Sequence, residues 1–185
     1  MEEWARETPY SLDPLSTQAL IYTDAESNGN IATVIVTKGA ILCYYGTIPG
    51  RLRKVLRYRK TNIVAYELLA AIMGILQFKQ LNLTEVGGLH FVDSNPARQC
   101  LVRASSRQPD LNQLAGMVWY VAGSTVKTYW CDYVPSKANL ADAPSRGDFQ
   151  IMKQLGARIE LTDFSVCLVA VESWMSTMDV SALFV

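Results

Sequence analysis

Apolar and polar positions alternate in short runs through the opening part of the chain, and three of these runs read as strands. Leu20-Ile21-Tyr22-Thr23-Asp24-Ala25 is a run of β-formers ending in a carboxylate, just before the polar turn Glu26-Ser27-Asn28-Gly29-Asn30. Ile31 to Thr37 is a second β run, Lys38-Gly39 a turn, and Ala40 to Ile48 a third run rich in Ile, Leu and Tyr. Connections this short predict an antiparallel meander. From Thr61 to Phe78 the period changes: Ala65, Leu68, Leu69, Ile72, Ile75 and Leu76 recur at helical spacing, with Thr61 or Asn62 as N-cap. Glu67 is the one charge in that helix, beside its buried stripe, and a carboxylate there is costly without a partner or a metal.

Val86 to Val92 reads as a fourth strand ending at Asp93, with Ser94-Asn95-Pro96 opening a helix over Ala97 to Ala104. This repeats the strand-then-acid design of Asp24. A strand parallel to the first, joined to it by the helix carrying Glu67, places both Asp side chains at neighbouring carboxyl ends, the usual location of a site in an open α/β sheet. Pro109 to Ala122 reads as a further helix and Lys127 to Val134 as a fifth strand, followed by a turn that carries Asp142. Asp148 to Gly156 reads as a short helix, and the tail beyond it is ambiguous. The chain thus divides into an N-terminal linker or arm over 1–18, a main domain over 19–149 and a C-terminal helix and tail over 150–185.

Composition narrows the class. Half of the 185 residues are apolar and 18% are charged, which suits one well-filled globular core. Seventeen basic residues balance seventeen acidic ones, which argues against a protein that coats nucleic acid, although a local patch suffices to recognise phosphate. One such patch exists: six of the ten residues from Arg51 to Lys60 are basic and none is acidic. It reads either as a solvated face or as a phosphate-contacting element. Cys43, Cys100, Cys131 and Cys167 are widely spaced, which suggests neither a zinc site nor a disulfide framework and fits reduced thiols in an intracellular protein, cytoplasmic or nuclear. Met1 to Thr8 has no apolar core for a signal peptide, and Glu172 and Asp179 interrupt the apolar tail, so no membrane span is expected there.

The acids fall within four motifs in order: Tyr22-Thr23-Asp24-Ala25, Tyr66-Glu67-Leu68-Leu69-Ala70, Phe91-Val92-Asp93-Ser94, and the run Val134-Pro135-Ser136-Lys137-x-Asn139-x-Ala141-Asp142-x-Pro144-Ser145-Arg146. On these, the chain from about Leu20 to Gly147 resembles a type-I ribonuclease H domain, in particular those attached to the reverse transcriptases of retroelements. The last motif is the most specific and resembles tyrosine-recombinase retrotransposons and pararetrovirus-like elements. The resemblance implies an α/β fold with a five-stranded mixed sheet, a three-stranded antiparallel meander plus two parallel strands, and helices on both faces. It also implies a metal-dependent endoribonuclease that cuts the RNA strand of RNA/DNA hybrids, leaving 5′-phosphate and 3′-hydroxyl ends.

In such a domain Asp24, Glu67, Asp93 and Asp142 would hold two Mg²⁺ ions, with Mn²⁺ as substitute. Asp24 would be shared by both, Asp142 would lie on the side of the attacking water, and Glu67 with Asp93 on the side of the leaving oxygen. Ala25, Glu26, Asn62, Ser94 and Asn95 would contact the hybrid, and Arg51, Arg53, Lys54 and Arg57 would track the DNA strand. A covalently linked reverse transcriptase domain is the implied partner. Three departures stand against the cellular pattern. Asn62 lies five residues before Glu67, where cellular enzymes have asparagines four and three before. The only histidine, His90, is three residues from Asp93 on one strand and so faces the other side of the sheet. Between the later helices Ser105 to Val126 offers only Arg107, so the cellular basic handle is not apparent. Two rivals share the fold: a tether or connection domain without catalysis, and an integrase or other nuclease of the superfold, whose glutamate comes from a later helix.

Overall fold

The strand that ends in Asp24 is the axis of the architecture. The structure, a computed structural model, describes residues 18–83 and 87–177, so the expected arm over 1–18 lies almost wholly outside the described residues. The meander forms as the alternation predicts: β1 (Gln18–Ala25), β2 (Asn30–Val36) and β3 (Ile41–Thr47) pair antiparallel, with Asp24 opposite Ala32. After a short helix α1 (Gly50–Lys54), the long helix α2 (Ile63–Gln80) crosses over to β4 (Gly87–Val92). That strand lies parallel to β1, with Tyr22 opposite Phe91. Helices α3 (Asn95–Arg103) and α4 (Pro109–Gly123) lead to β5 (Tyr129–Tyr133), which is parallel to β4.

Among the described residues the sheet has six strands where five were expected, in the order β5-β4-β1-β2-β3-β6. The sixth, β6 (Arg158–Leu161), comes from the ambiguous tail and lies parallel to β3, with Cys43 opposite Ile159. Between β5 and β6 the chain makes a 3₁₀ turn (Ser136–Ala138) and helices α5 (Asp142–Ser145) and α6 (Gln150–Gln154). The chain then continues into α7 (Ser165–Thr177).

Two apolar layers sandwich the sheet. On one face Ile21, Ile31, Ile35 and Leu42 pack against α2, α4 and Val171 of α7. On the other, Ala32, Val34 and Cys43 meet Ala141, Phe149 and Met152 around α5 and α6. Every side chain of α2 from Ala65 to Phe78 is buried, so its single stripe of large apolar residues is only part of a fully enclosed helix. By length and hydropathy it would suffice for a membrane span, yet 78% of it is buried as the protein's core helix. Gly74 lets it sit close to β1: a Cβ there would lie 3.1 Å from Thr23 Cγ2 and 3.3 Å from Ile21 Cγ2. Close approach at Gly74 brings the start of the same helix, and with it Glu67, to the carboxyl end of β1. Helix α7 is fastened over α4 and α1 by Trp174 Nε1, which donates to Gln113 O at 2.9 Å, and by an Arg51–Glu172 ion pair of 2.6 Å.

Candidate active site

Alternation along β1 and β4 decides which side chains meet. Tyr22 and Phe91, opposite each other in the register, stack with ring centroids 5.2 Å apart. Asp24 and Asp93 lie two residues further on, on the same face as those rings. Glu67 arrives from the first turns of α2. One carboxylate oxygen from each of Asp24, Glu67 and Asp93 lies within 4.8 Å of the others. Asp24 and Glu67 are buried, 5% and 3% exposed, and Glu67 Oε2 has no hydrogen-bond partner among the described residues.

The electrostatics follow from that crowding. Burial, and then the charges of Asp24 and Asp93, push the Glu67 carboxyl up to about 9, against a weaker lowering by a backbone hydrogen bond from Ala25. Burial also raises Asp24 to about 7, with Asp93 and Asp142 adding to the rise and the Ser145 hydroxyl opposing it. A buried carboxylate oxygen without a partner, among two other acids, fits a hard cation that takes oxygen ligands. These shifts have a consequence for stability. Both folded values exceed the ordinary carboxyl range of about 4, so the folded state holds more protons, and stability falls as pH rises through the folded values. His90 has the opposite sign: burial lowers it to about 3, so its contribution is complete above about 6.5 and lost as pH falls towards 3. Between pH 6.5 and 9 only the carboxyl effect of the two operates. Thermal unfolding in chelator should therefore show Tm falling across that window, and Glu67→Gln should flatten the fall; a Tm that holds constant or rises in the wild type would contradict the assigned environment.

Asp142, the first residue of α5, stands beside this group and not within it. Its Oδ1 accepts from Arg146 Nη2 at 2.5 Å, and the same guanidinium donates through Nε to Glu26 Oε1 at 2.8 Å. The closing motif is stapled to β1 by two polar side chains. Asn139, 5% exposed, donates to Thr23 O at 3.1 Å and accepts from Ala141 N, and Ser145 donates its hydroxyl to Asp24 Oδ2. Asn139, Ser145 and Arg146 belong to the motif that carries the sequence resemblance, but are not among the site residues that the sequence predicts. The available signal was spacing, since positions three and four after Asp142 share its face of a helical turn.

The remaining candidates divide. Ala25 and Glu26 follow Asp24 directly. Ser94 caps α3, accepting from Ala97 N at 3.3 Å, and Asn95 is exposed beside it. Asn62 precedes α2 without a side-chain cap bond and instead accepts from Arg59 Nη1 at 3.3 Å, while Thr61 Oγ1 accepts from Ile63 N. Half of the basic run is engaged in structure. Arg51 pairs with Glu172, and Arg53 donates to Ile48 O at 2.8 Å and lies over the Tyr66 ring at 5.9 Å. Arg59 pairs with the buried Asp110 at 2.5 Å. Lys54, Arg57 and Lys60 are exposed. His90 is buried on the opposite face, between Thr23 Oγ1 at 2.7 Å and Tyr129 Oη at 2.6 Å. The thiols of Cys43, Cys131 and Cys167 are free, and burial pushes each up to about 12.

No protein-family profile and no curated protein sequence matches this chain. Solved structures do. A ribonuclease H1 from a compost metagenome, solved with an RNA/DNA hybrid, superposes with a TM-score of 0.54 at 17% identity, over 75% of this chain and 99% of its own. The N-terminal ribonuclease H domain of a Mycobacterium tuberculosis protein, solved as a fusion with maltose-binding protein, gives a TM-score of 0.52 at 22% identity, over 76% and 99%. Identities this low speak to architecture, and together with the strand order and the crossover helix they show that the chain has a ribonuclease H-like fold.

Proposed function

We propose that the protein is a metal-dependent endoribonuclease that hydrolyses the RNA strand of RNA/DNA hybrids. The observation that carries this reading is the convergence of Asp24, Glu67 and Asp93, with an unpartnered buried Glu67 oxygen, at the carboxyl ends of parallel strands in this fold. Asp24 would serve both of two Mg²⁺ or Mn²⁺ ions. Glu67 and Asp93 would hold the ion at the leaving oxygen, and Asp142 would help hold the one at the attacking water. Bound there, the ions supply an activated water and charge stabilisation at the scissile phosphate, giving 5′-phosphate and 3′-hydroxyl products.

The chain's own groups do the rest. Ser145 orients Asp24, and Asn139 fixes the loop that presents Asp142 to the end of β1. Ala25, Glu26, Asn62, Ser94 and Asn95 would contact the hybrid, where 2′-hydroxyls of a minor groove distinguish RNA from DNA. Lys54, Arg57 and Lys60 are exposed members of the basic run that would meet phosphate, whereas Arg51, also exposed, and Arg53 would have to leave the bonds they make. The closing motif around Asp142 supports an origin in a retroelement polyprotein, with a linked reverse transcriptase domain as partner and a place of action inside the cell.

Labelled RNA/DNA hybrid, double-stranded RNA and double-stranded DNA incubated with Mg²⁺ separate the readings. Cleavage of the hybrid alone supports ribonuclease H activity. Binding of the hybrid without cleavage would assign the fold to a tether, and cutting or joining of double-stranded DNA would assign it to the integrase-like nucleases.

A further inference from the structure

Arg146 holds two acids at once. Its Nη2 meets Asp142 Oδ1 at 2.5 Å and its Nε meets Glu26 Oε1 at 2.8 Å, so one guanidinium bridges the residue after Ala25 and the first residue of α5. The Arg146 side chain is 59% exposed, against 21% for Asp142 and 30% for Glu26. Ion pairs so open to water are held weakly and exchange readily. Asp142 is also the acid outside the group formed by Asp24, Glu67 and Asp93. Of the four acids of the proposed site, Asp142 is the one engaged by a side-chain cation among the described residues, and it is the one not gathered with the others.

We propose that Arg146 is a positioning residue that holds Asp142 beside the three-acid group and competes with a divalent cation for its carboxylate. This rests on the metal-dependent reading of the site. The guanidinium occupies one oxygen of Asp142 and carries charge of the same sign as an arriving cation, so loading at Asp142 displaces it or works against it. Glu26 gives the displaced side chain a second anchor. Arg146 then stays at the mouth of the site, and its freed N–H groups point to phosphate, the anion a guanidinium recognises best.

Mg²⁺ binding measured by calorimetry on the full chain tests this without any turnover. Arg146→Gln should bind Mg²⁺ about two- to fivefold more tightly than wild type, the scale of releasing an exposed ion pair. Its Tm in chelator should be lower and its rise on adding Mg²⁺ larger. Placed in an Asp142→Asn background, the same substitution should leave Mg²⁺ affinity unchanged, because the shared carboxylate is gone. Arg146→Lys cannot fork onto both acids and should shift affinity in the same direction by less, and it carries the comparison if Arg146→Gln does not fold. Unchanged or weaker Mg²⁺ binding in both variants would overturn the competition and leave Arg146 as a residue that aims Asp142. If wild type and Asp24→Asn alike take up no Mg²⁺, the metal-dependent reading itself falls, and this inference with it.

Discussion

On the proposed activity, Asp24→Asn is expected to lower cleavage of an RNA/DNA hybrid by about 10²- to 10³-fold or more, the cost of deleting a group that stabilises charge at the reacting phosphate, without unfolding the protein. The side chain keeps its volume, and the Ser145 hydroxyl that donates to Asp24 Oδ2 can donate equally to the amide oxygen. The substitution also deletes one of three acids that crowd within 4.8 Å. With Asp24 raised to about 7 by burial and its acidic neighbours, the wild type carries unfavourable charge at pH 8 that the amide lacks. Two measurements are therefore expected to move in opposite directions: single-turnover cleavage falls, while Tm in chelator at pH 8 stays level or rises. Cleavage within tenfold of wild type would remove Asp24 from the centre of the mechanism. A lower Tm would show that its carboxylate is a structural element.

Asp110→Ala produces the largest loss of stability expected from a single charged residue here. Asp110, 3% exposed, opens α4 and receives Arg59 at 2.5 Å on Oδ1 and the Arg57 backbone N–H at 3.0 Å on Oδ2. Burial alone would raise its carboxyl, but the hydrogen bonds from Arg59 and the Arg57 backbone outweigh it and hold the group below its ordinary value. Removing one partner of a buried pair costs about 3–5 kcal/mol; Arg59 is one-fifth exposed, so about 3 kcal/mol is expected. For a chain of this size that is a fall in Tm of about 6–12 °C. Because a depressed carboxyl stabilises above its unfolded pKa of about 3.9 and loses that effect below it, the gap between wild type and variant should close as pH drops under 4. A change of less than 1 °C at pH 7 would mean that the pair only decorates the surface.

That second case shows where sequence reading succeeds and where it stops. Asp24 and Asp93 were legible because an apolar run ending in an acid is a local pattern, and Glu67 because an acid inside an apolar helix demands an explanation. The parallel pairing of β1 and β4 stood as a condition on the helix carrying Glu67 being a crossover, which α2 is. The basic run was legible as charge and not as structure: Arg59 finds Asp110 fifty-one positions away, and nothing local announces the pair. Likewise, β6 escaped notice because Arg158-Ile159-Glu160-Leu161 lies at the sheet's edge, with no fully buried position to mark a face. The helical stripe of α2 led to an expectation of one buried face, whereas enclosure by sheet and helices buries all of it from Ala65 to Phe78.

The sheet order places β1 between a partner already synthesised alongside it, β2, and one that arrives only after the crossover helix, β4. During translation the meander can form early, but Asp24 then faces an open flank with no Glu67, no Asp93 and no loop from Asp142. A nascent chain emerging from the ribosome therefore carries no three-acid group until β4 and Asp93 are exposed, and Asp142 joins later still. The proposed site, drawn from four separated segments, is complete only once the closing motif has been made.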